Sequence, residues 1–312
     1  MTQLDVVTGA FSYSGAAIAR QLGEEGHLVR TLTGHPQRAT GYARGVRGDG
    51  ISPVKDVRPL DFAGPGELEH SLTGAHTLYN TYWVRFSRGT TSHAQAVANS
   101  RILFDAAKRA GVQRIVHVSI THADPRSPHP YFQGKGEVEE YLKSTGVPYA
   151  ILRPAILFGG DGVLLNNIAW LLRHVPVFAI GGRGDYRIRP IHIDDLARLA
   201  VAQGASTENV TMDAVGPESL RFRDMVAAIR RATHSRAVIV HVPGRLVAPL
   251  SAVLGVLLRD VLLTPEEFDS MAEGLADSDA PATGQISLTE WLSRHGEELG
   301  RRYANELDRH FR

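Results

Sequence analysis

An α/β fold, a doubly wound parallel sheet with a smaller C-terminal lobe, is what this sequence predicts. Three observations carry that reading: short apolar runs of strand type alternate with helical patterns from the start, glycines follow the helix ends, and the alternation fades beyond Pro154. Strands are predicted at Leu4–Thr8, Leu28–Leu32, Val57–Leu60, Thr77–Thr81, Arg114–Ser119 and Tyr149–Leu152, each bounded by Gly, Pro or polar residues. Six such runs make one sheet. Between them Ala16–Glu25, Leu68–Leu72, Ala94–Ala110 and Gly134–Ser144 place apolar residues at helical spacing. Gly26, Gly74, Gly111 and Gly146 stand just past these helices, where a residue without a β-carbon takes the left-handed cap conformation cheaply. Residues 1–154 are therefore read as the sheet domain. Residues 155–312, with the Gly159–Gly162 turn, a strand-like Val238–Val242 and a polar helix Ser287–His310, are read as a mixed lobe that forms around the substrate and returns segments to the sheet domain.

Composition narrows the function. Hydrophobic residues are 43% and charged residues 21% of the 312, so the chain can bury a full core without staples and is neither disordered nor membrane-spanning in character. Lys and Arg number 34 against 33 Asp and Glu, a formal charge of +1, which gives no field to draw nucleic acid. A small-molecule substrate is the expected partner, with an oligomer left open. The absence of cysteine excludes disulfides, zinc–thiolate sites and thiol nucleophiles, so any redox chemistry must come from a bound cofactor. Met1–Asp5 lacks a basic n-region, so no secretory signal is expected and the cytoplasm is the simplest location. Leu246 to Leu263 is interrupted by Pro249 and Arg259 and falls short of the roughly 18–20 residues a bilayer requires, so it is read as a buried or lid helix.

Thr8-Gly9-Ala10-Phe11-Ser12-Tyr13-Ser14-Gly15 follows the first strand and opens the first helix, the setting in which backbone N–H groups and a helix N-terminus meet a pyrophosphate. Gly9 permits the tight turn and Gly15 the close helix packing. Ser12, in the middle position, offers a hydroxyl to a phosphate oxygen; Phe11, Tyr13 and Ser14 complete the loop. After the second strand stands Thr33 rather than an acidic residue, with His35 and Arg38 in reach of a 2′-phosphate, which favours NADP with NAD as the alternative. Asp61 and Phe62, directly after the third strand, are expected at the adenine edge or, for Asp61, at a helix cap.

Tyr131 and Lys135 lie four apart at the start of the helix after the fifth strand, which puts both on one helical face. A neighbouring ammonium favours phenolate, so the pair suits a tyrosine acid/base, and Ser119 or Thr121 would orient the substrate oxygen.

With Tyr149-Ala150-Ile151-Leu152-Arg153-Pro154 and Arg189-Pro190-Ile191-His192-Ile193-Asp194-Asp195, these residues resemble the short-chain dehydrogenase/reductase superfamily in its atypical or extended branch, close to its NmrA-like and complex-I-accessory-like relatives. The resemblance covers most of the chain and implies a Rossmann domain, a variable C-terminal lobe around the substrate, Tyr131 as acid/base with Lys135 lowering its pKa, and hydride exchange with a nicotinamide held partly by Lys135 and Pro154. Ser12 and Thr33-Gly34 depart from the family pattern. An NAD(P)-dependent oxidoreductase at a carbonyl/hydroxyl centre is the leading function. The alternatives are an NAD(P)-dependent epimerase or dehydratase and a non-catalytic NAD(P)-binding sensor or accessory protein.

Other chemical-looking residues have simpler readings. The spread of His117, His122 and His129 does not suit a metal, and Asp194 and Asp195 read as N-cap residues of an apolar Leu196–Val201 helix. Tyr82 and Trp83 end the fourth strand and either line the pocket or pack. Arg85, Arg187 and Arg189 either meet an anionic substrate group or are solvated.

Overall fold

The computed structural model describes residues 3–36, 54–85, 87, 91–160, 162–261 and 263–305. Arg38 lies outside them. The chain divides into two compact units, Met1–Pro154 with Ile193–Ala214, and Ala155–His192 with Val215–Arg312.

The first unit is built on β1 (Leu4–Thr8), α1 (Tyr13–Glu24), β2 (Leu28–Thr33), β3 (Val54–Pro59), α2 (Pro65–Leu72), β4 (Thr77–Asn80), α3 (His93–Arg109), β5 (Arg114–Val118), α4 (Pro130–Ser144) and β6 (Tyr149–Pro154). It is completed by α5 (Ile193–Gly204) and β7 (Val210–Ala214). The strands run in the order β7-β6-β5-β4-β1-β2-β3, every neighbouring pair parallel. That is the doubly wound sheet the alternation predicts, with seven strands in place of six. The seventh escaped the sequence reading because Val-Thr-Met-Asp-Ala shows no continuous apolar run; as an edge strand it is only partly buried and pairs on one side, with β6. β3 starts three residues earlier than predicted because Asp56 is held by Arg30 of β2 (2.7 Å), an ion pair that stabilises a polar strand start. α4 begins at Pro130, whose fixed φ and missing N–H suit the first helical turn.

Helices α2, α3 and α4 pack in a row on one face, over a core of Val6, Leu32, Leu72, Leu78, Leu103, Phe104, Ile115, Leu142 and Ile151. α1 and α5 pack together as a second layer. Asp194 and Asp195 lie inside the first turn of α5 and not at its cap, a correction to the N-cap reading. Asp194 pairs with Arg20 of α1 and Asp195 with Arg198 one turn on, so both anions favour the helix N-terminus through its dipole.

The second unit contains three two-stranded pairs: Ile156–Phe158 with Pro190–His192, Val177–Gly181 with Val238–Val242, and Arg187–Ile188 with Leu220–Arg221. Its core gathers Phe158, Leu165, Ala169, Met225, Val226, Ile229, Leu288 and Leu292 from the helices Val163–His174, Phe222–Ala232 and Leu288–His295 and from the strand Ile156–Phe158. Three sequence expectations are corrected in this unit. The polar helix runs only from Leu288 to His295 and ends at Gly296, where a β-carbon would meet Ala232 and the Leu292 carbonyl. The apolar segment forms the helix Val247–Leu258 but is not buried: Leu250 is 44% and Val256 81% exposed. Arg187 bonds Ser219 and Asp277, and Arg189 donates to the carbonyls of Gly216, Ser278 and Ala280, so both cations act as internal straps. Among the described residues no helix is long and apolar enough to cross a membrane, and no group of three His, Asp or Glu is placed to hold a metal ion.

Burial grades the expected response to mutation. Phe104 is fully buried and its truncation to Ala should cost about 3–5 kcal/mol, whereas Val256→Ser should stay within about 0.5 kcal/mol, both read from urea unfolding of the full chain.

Candidate functional site

Because all seven strands are parallel, their carboxyl ends share one edge of the sheet, and the sequence-derived residues gather there: Gly9–Gly15 after β1, Thr33 and His35 at and after β2, Asp61 and Phe62 after β3, Ser119 and Thr121 after β5, Tyr131 and Lys135 on α4, and Pro154 ending β6. The strand order reverses between β1 and β4. At that point Thr8 Oγ1 accepts from the amides of Thr81 (2.8 Å) and Tyr82 (3.1 Å) and donates to Asn80 Oδ1 (3.1 Å), while Thr81 Oγ1 donates to the Thr8 carbonyl (2.6 Å). One buried hydroxyl thus fixes the end of β4 against the start of the glycine loop.

The loop is built for close approach. Gly9 has φ +66° and donates to the Leu32 carbonyl (2.8 Å), and Ala10 N–H is taken by Thr31 Oγ1 (3.0 Å). A β-carbon on Gly15 would lie 2.2 Å from the Gly9 carbonyl oxygen, so only glycine lets α1 start this near the strand. Ser12 occupies the N-cap position in extended conformation, but its hydroxyl donates back to the Gly9 carbonyl (2.6 Å) and makes no cap bond. Its proton thus goes to the loop's own backbone in this structure. The first turn of α1 carries no acidic residue. A helix N-terminus without a side-chain cap or a carboxylate, reached through a glycine cradle, fits a diphosphate.

Thr33 is buried and its Oγ1 accepts from the His35 amide (3.1 Å), while its carbonyl accepts Leu60 N–H (2.9 Å) and ties β2 to the segment after β3. Asp61 Oδ1 accepts Ala63 N–H (2.9 Å) in a local turn, and the N-cap of α2 is Gly64. Phe62 stacks obliquely on Tyr82 at 4.9 Å, and Tyr82 Oη accepts from Asn99 (2.8 Å).

Around α4 the groups separate into two sets. Ser119 Oγ donates to Glu139 Oε1 (2.5 Å), and Glu139, 1% exposed, is held by Arg153 (2.9 Å). Ser119 is thereby committed to a buried charge pair. Thr121 is fully buried, with its amide donating to the Pro154 carbonyl (3.1 Å). The second set surrounds Trp83: Lys135 Nζ sits 4.6 Å over the indole while donating to the Val118 carbonyl (2.9 Å), Tyr131 meets the ring edge-on at 5.9 Å, and His93 stacks on it at 6.1 Å. Sequence reasoning left Trp83 undecided and missed His93 and Glu139. Lys135 → Glu139 at a spacing of four was the available signal for the last.

Burial removes water from the Lys135 ammonium and lowers it from the ordinary 10.5 to about 7, against the pull of the Glu139 carboxylate. His117 is held neutral, first by burial and then by the Lys135 charge. Its Nδ1 lies 3.0 Å from Asn80 Nδ2. His117 Nε2, Trp83 Nε1 and His93 Nε2 are buried without a hydrogen-bond partner.

Between pH about 7 and 10.5 the unfolded chain keeps a proton on this amine that the folded chain releases, so this group makes stability rise with pH across that window; below about 7 the full penalty of burying the ammonium applies. Lys135→Met removes the slope. The stability difference between wild type and Lys135→Met, from urea midpoints, should move in favour of wild type as pH rises from about 7 to 10.

The sequence profile of a family described as NAD(P)H-binding matches residues 9–167, just over half of the chain. Among curated proteins, the NADH-ubiquinone oxidoreductase 40 kDa subunit of Neurospora crassa is 23% identical over 213 residues, covering 67% of this chain and 56% of that protein, so the match spans little more than half of that relative. Among solved structures, the Citrobacter triphenylmethane reductase superposes with TM-score 0.75 at 18% identity, over 95% of this chain and 99% of that one. The Escherichia coli NADPH-dependent quinone oxidoreductase, complexed with NADPH, does so with TM-score 0.73 at 21% identity, over 94% and 99%. At these identities the structures share the fold. The profile match supplies the lineage: with its glycine cradle at the end of β1 and its parallel sheet, this chain belongs to the NAD(P)H-binding family.

Proposed function

We propose that the protein is an NAD(P)H-dependent oxidoreductase acting on a carbonyl or hydroxyl centre, with Tyr131 as proton donor and acceptor. The observation that carries this reading is the conjunction, on one sheet edge of one unit, of the Gly9–Gly15 cradle and the Tyr131/Lys135 helix start. The cradle residues Gly9, Phe11, Ser12, Tyr13, Ser14 and Gly15 hold the diphosphate against the α1 amides. Thr33 and His35 receive the adenosine ribose and its 2′-phosphate. Asp61 and Phe62 border the adenine, and Lys135 and Pro154 flank the nicotinamide end. When bound, a nicotinamide supplies or accepts hydride.

The chain's own groups supply the proton. Tyr131 Oη gives it to the carbonyl oxygen in reduction and takes it back in oxidation, and a charged Lys135 favours the phenolate that oxidation needs. With Ser119 bound to Glu139, Thr121 is the hydroxyl of the pair assigned to orient the substrate oxygen. The E. coli neighbour carries NADPH and no carboxylate stands at Thr33-Gly34-His35, which together favour NADP, with NAD second.

A second reading, nucleotide binding without turnover, is favoured by the identity of the Neurospora relative as a subunit of NADH-ubiquinone oxidoreductase and by the burial of Thr121. Nicotinamide fluorescence titrations should show tighter binding of NADPH than of NADH. Tyr131→Phe should keep that affinity and lower turnover of any carbonyl acceptor by about 100-fold or more. Turnover unchanged in Tyr131→Phe would overturn the role given to Tyr131, and NADPH binding by a wild-type chain that turns over no carbonyl acceptor would leave the second reading.

A further inference from the structure

The contacts around Trp83 carry an inference of their own. Three residues of the segment Tyr131-Phe132-Gln133-Gly134-Lys135 converge on this one indole. Lys135 Nζ lies 4.6 Å from the ring centroid and Tyr131 meets the ring edge-on at 5.9 Å. A β-carbon on Gly134 would stand 3.0 Å from Trp83 Cη2, a tight contact, so the helix start lies directly against the ring. His93, at the start of α3, stacks against the indole at 8° to its plane and also meets Tyr131 edge-on at 5.6 Å. The ammonium donates to the Val118 carbonyl, and Lys135 is 3% exposed.

We propose that Trp83 is the positioning residue of the Tyr131–Lys135 pair: its ring face holds the Lys135 ammonium in a dry site, and its edge sets Tyr131 beside it. The role given to the pair rests on the reading in the preceding subsection; the hold of Trp83 on Lys135 does not. An ammonium stripped of water is attracted by the negative face of an indole, the strongest of the aromatic faces for this purpose. The other groups around the amine pull in different directions. Glu139 on α4 favours its charge, while His117 on β5 is neutral, Tyr131 meets the indole edge-to-face and His93 stacks parallel to it. The ring face and the Val118 carbonyl are thus the direct contacts that oppose desolvation of the amine.

The chain has four lysines, Lys55, Lys108, Lys135 and Lys143, and three tryptophans, Trp83, Trp170 and Trp291, which makes a direct test practical. With 13C at the lysine ε-carbon, the ligand-free full chain gives four titrating signals, and Lys135→Met identifies the one that matters. Trp83→Leu should lower its midpoint by about 0.4–1.5 pH units, the size of one cation–π contact, and Trp83→Phe should recover most of the loss. Replacing the tryptophans by mono- and trifluorinated analogues keeps the shape while draining the ring face of negative potential, and should lower the midpoint stepwise with fluorine number. This arm decides the matter if Trp83→Leu does not fold. An unchanged Lys135 midpoint in the fluorinated protein overturns the proposal. The measurement uses no nucleotide, so a protein that shows the shifts but fails to bind NADPH retains the Trp83 assignment and loses the proposed function.

Discussion

The missing side chain at residue 15 is the constraint from which the nucleotide edge follows. With the Gly9 carbonyl 2.2 Å from where a β-carbon would stand, α1 is allowed to begin against the strand it follows, and its axis points at the loop. Thr81 and Thr31 then take up polar backbone groups on the two flanks of the loop, the Thr8 carbonyl and the Ala10 amide. What the helix start offers as a result is partial positive charge on backbone amides, with no carboxylate in the first turn to neutralise it. A lysine at that place would be mobile and hydrated. Backbone dipoles are fixed in advance.

A second constraint governs the other end of the edge. Two cations, buried Lys135 and half-buried Arg153, approach the start and middle of α4, and they are treated differently. Arg153 has a carboxylate of its own in Glu139, with Ser119 adding a hydrogen bond, so this pair is electrically closed. Lys135 has a carbonyl and a ring face, which stabilise the charge without cancelling it. The consequence is an amine poised near neutrality in its titration, a state that structural lysines on solvated surfaces do not reach. The unpartnered nitrogens of His93, Trp83 and His117 mark the same region as one where packing has been favoured over polar satisfaction.

Much of this was legible in the sequence. The first six strands and four helices announce themselves by periodicity, and each of the four glycines expected at a helix end has positive φ. The glycine loop and the Tyr131/Lys135 pair were placed on the sheet edge by topology alone. Other features were not legible, for physical reasons. Val210–Ala214 is half-exposed on the margin of the sheet and carries the weak pattern such strands have. Asp194 and Asp195 look like caps because acidic residues favour both a cap and a first turn, and only the start of α5 at Ile193 separates the two. The bond from the Ser12 hydroxyl to the Gly9 carbonyl is a detail of loop geometry that residue type does not announce. The meeting of Trp83 with Lys135 joins residues far apart in the chain, and no local rule of spacing encodes it.

The way β7 closes the sheet has a bearing on how the protein is made. The strand that covers β6 leaves the ribosome only after the chain has departed at Ala155, passed through the second unit and returned at Ile193. Until then β6 is a bare margin of backbone N–H and C=O groups, the kind of surface that recruits strands from other molecules. The nascent protein therefore has a vulnerable interval written into its connectivity, during which a chaperone or rapid synthesis is of most use.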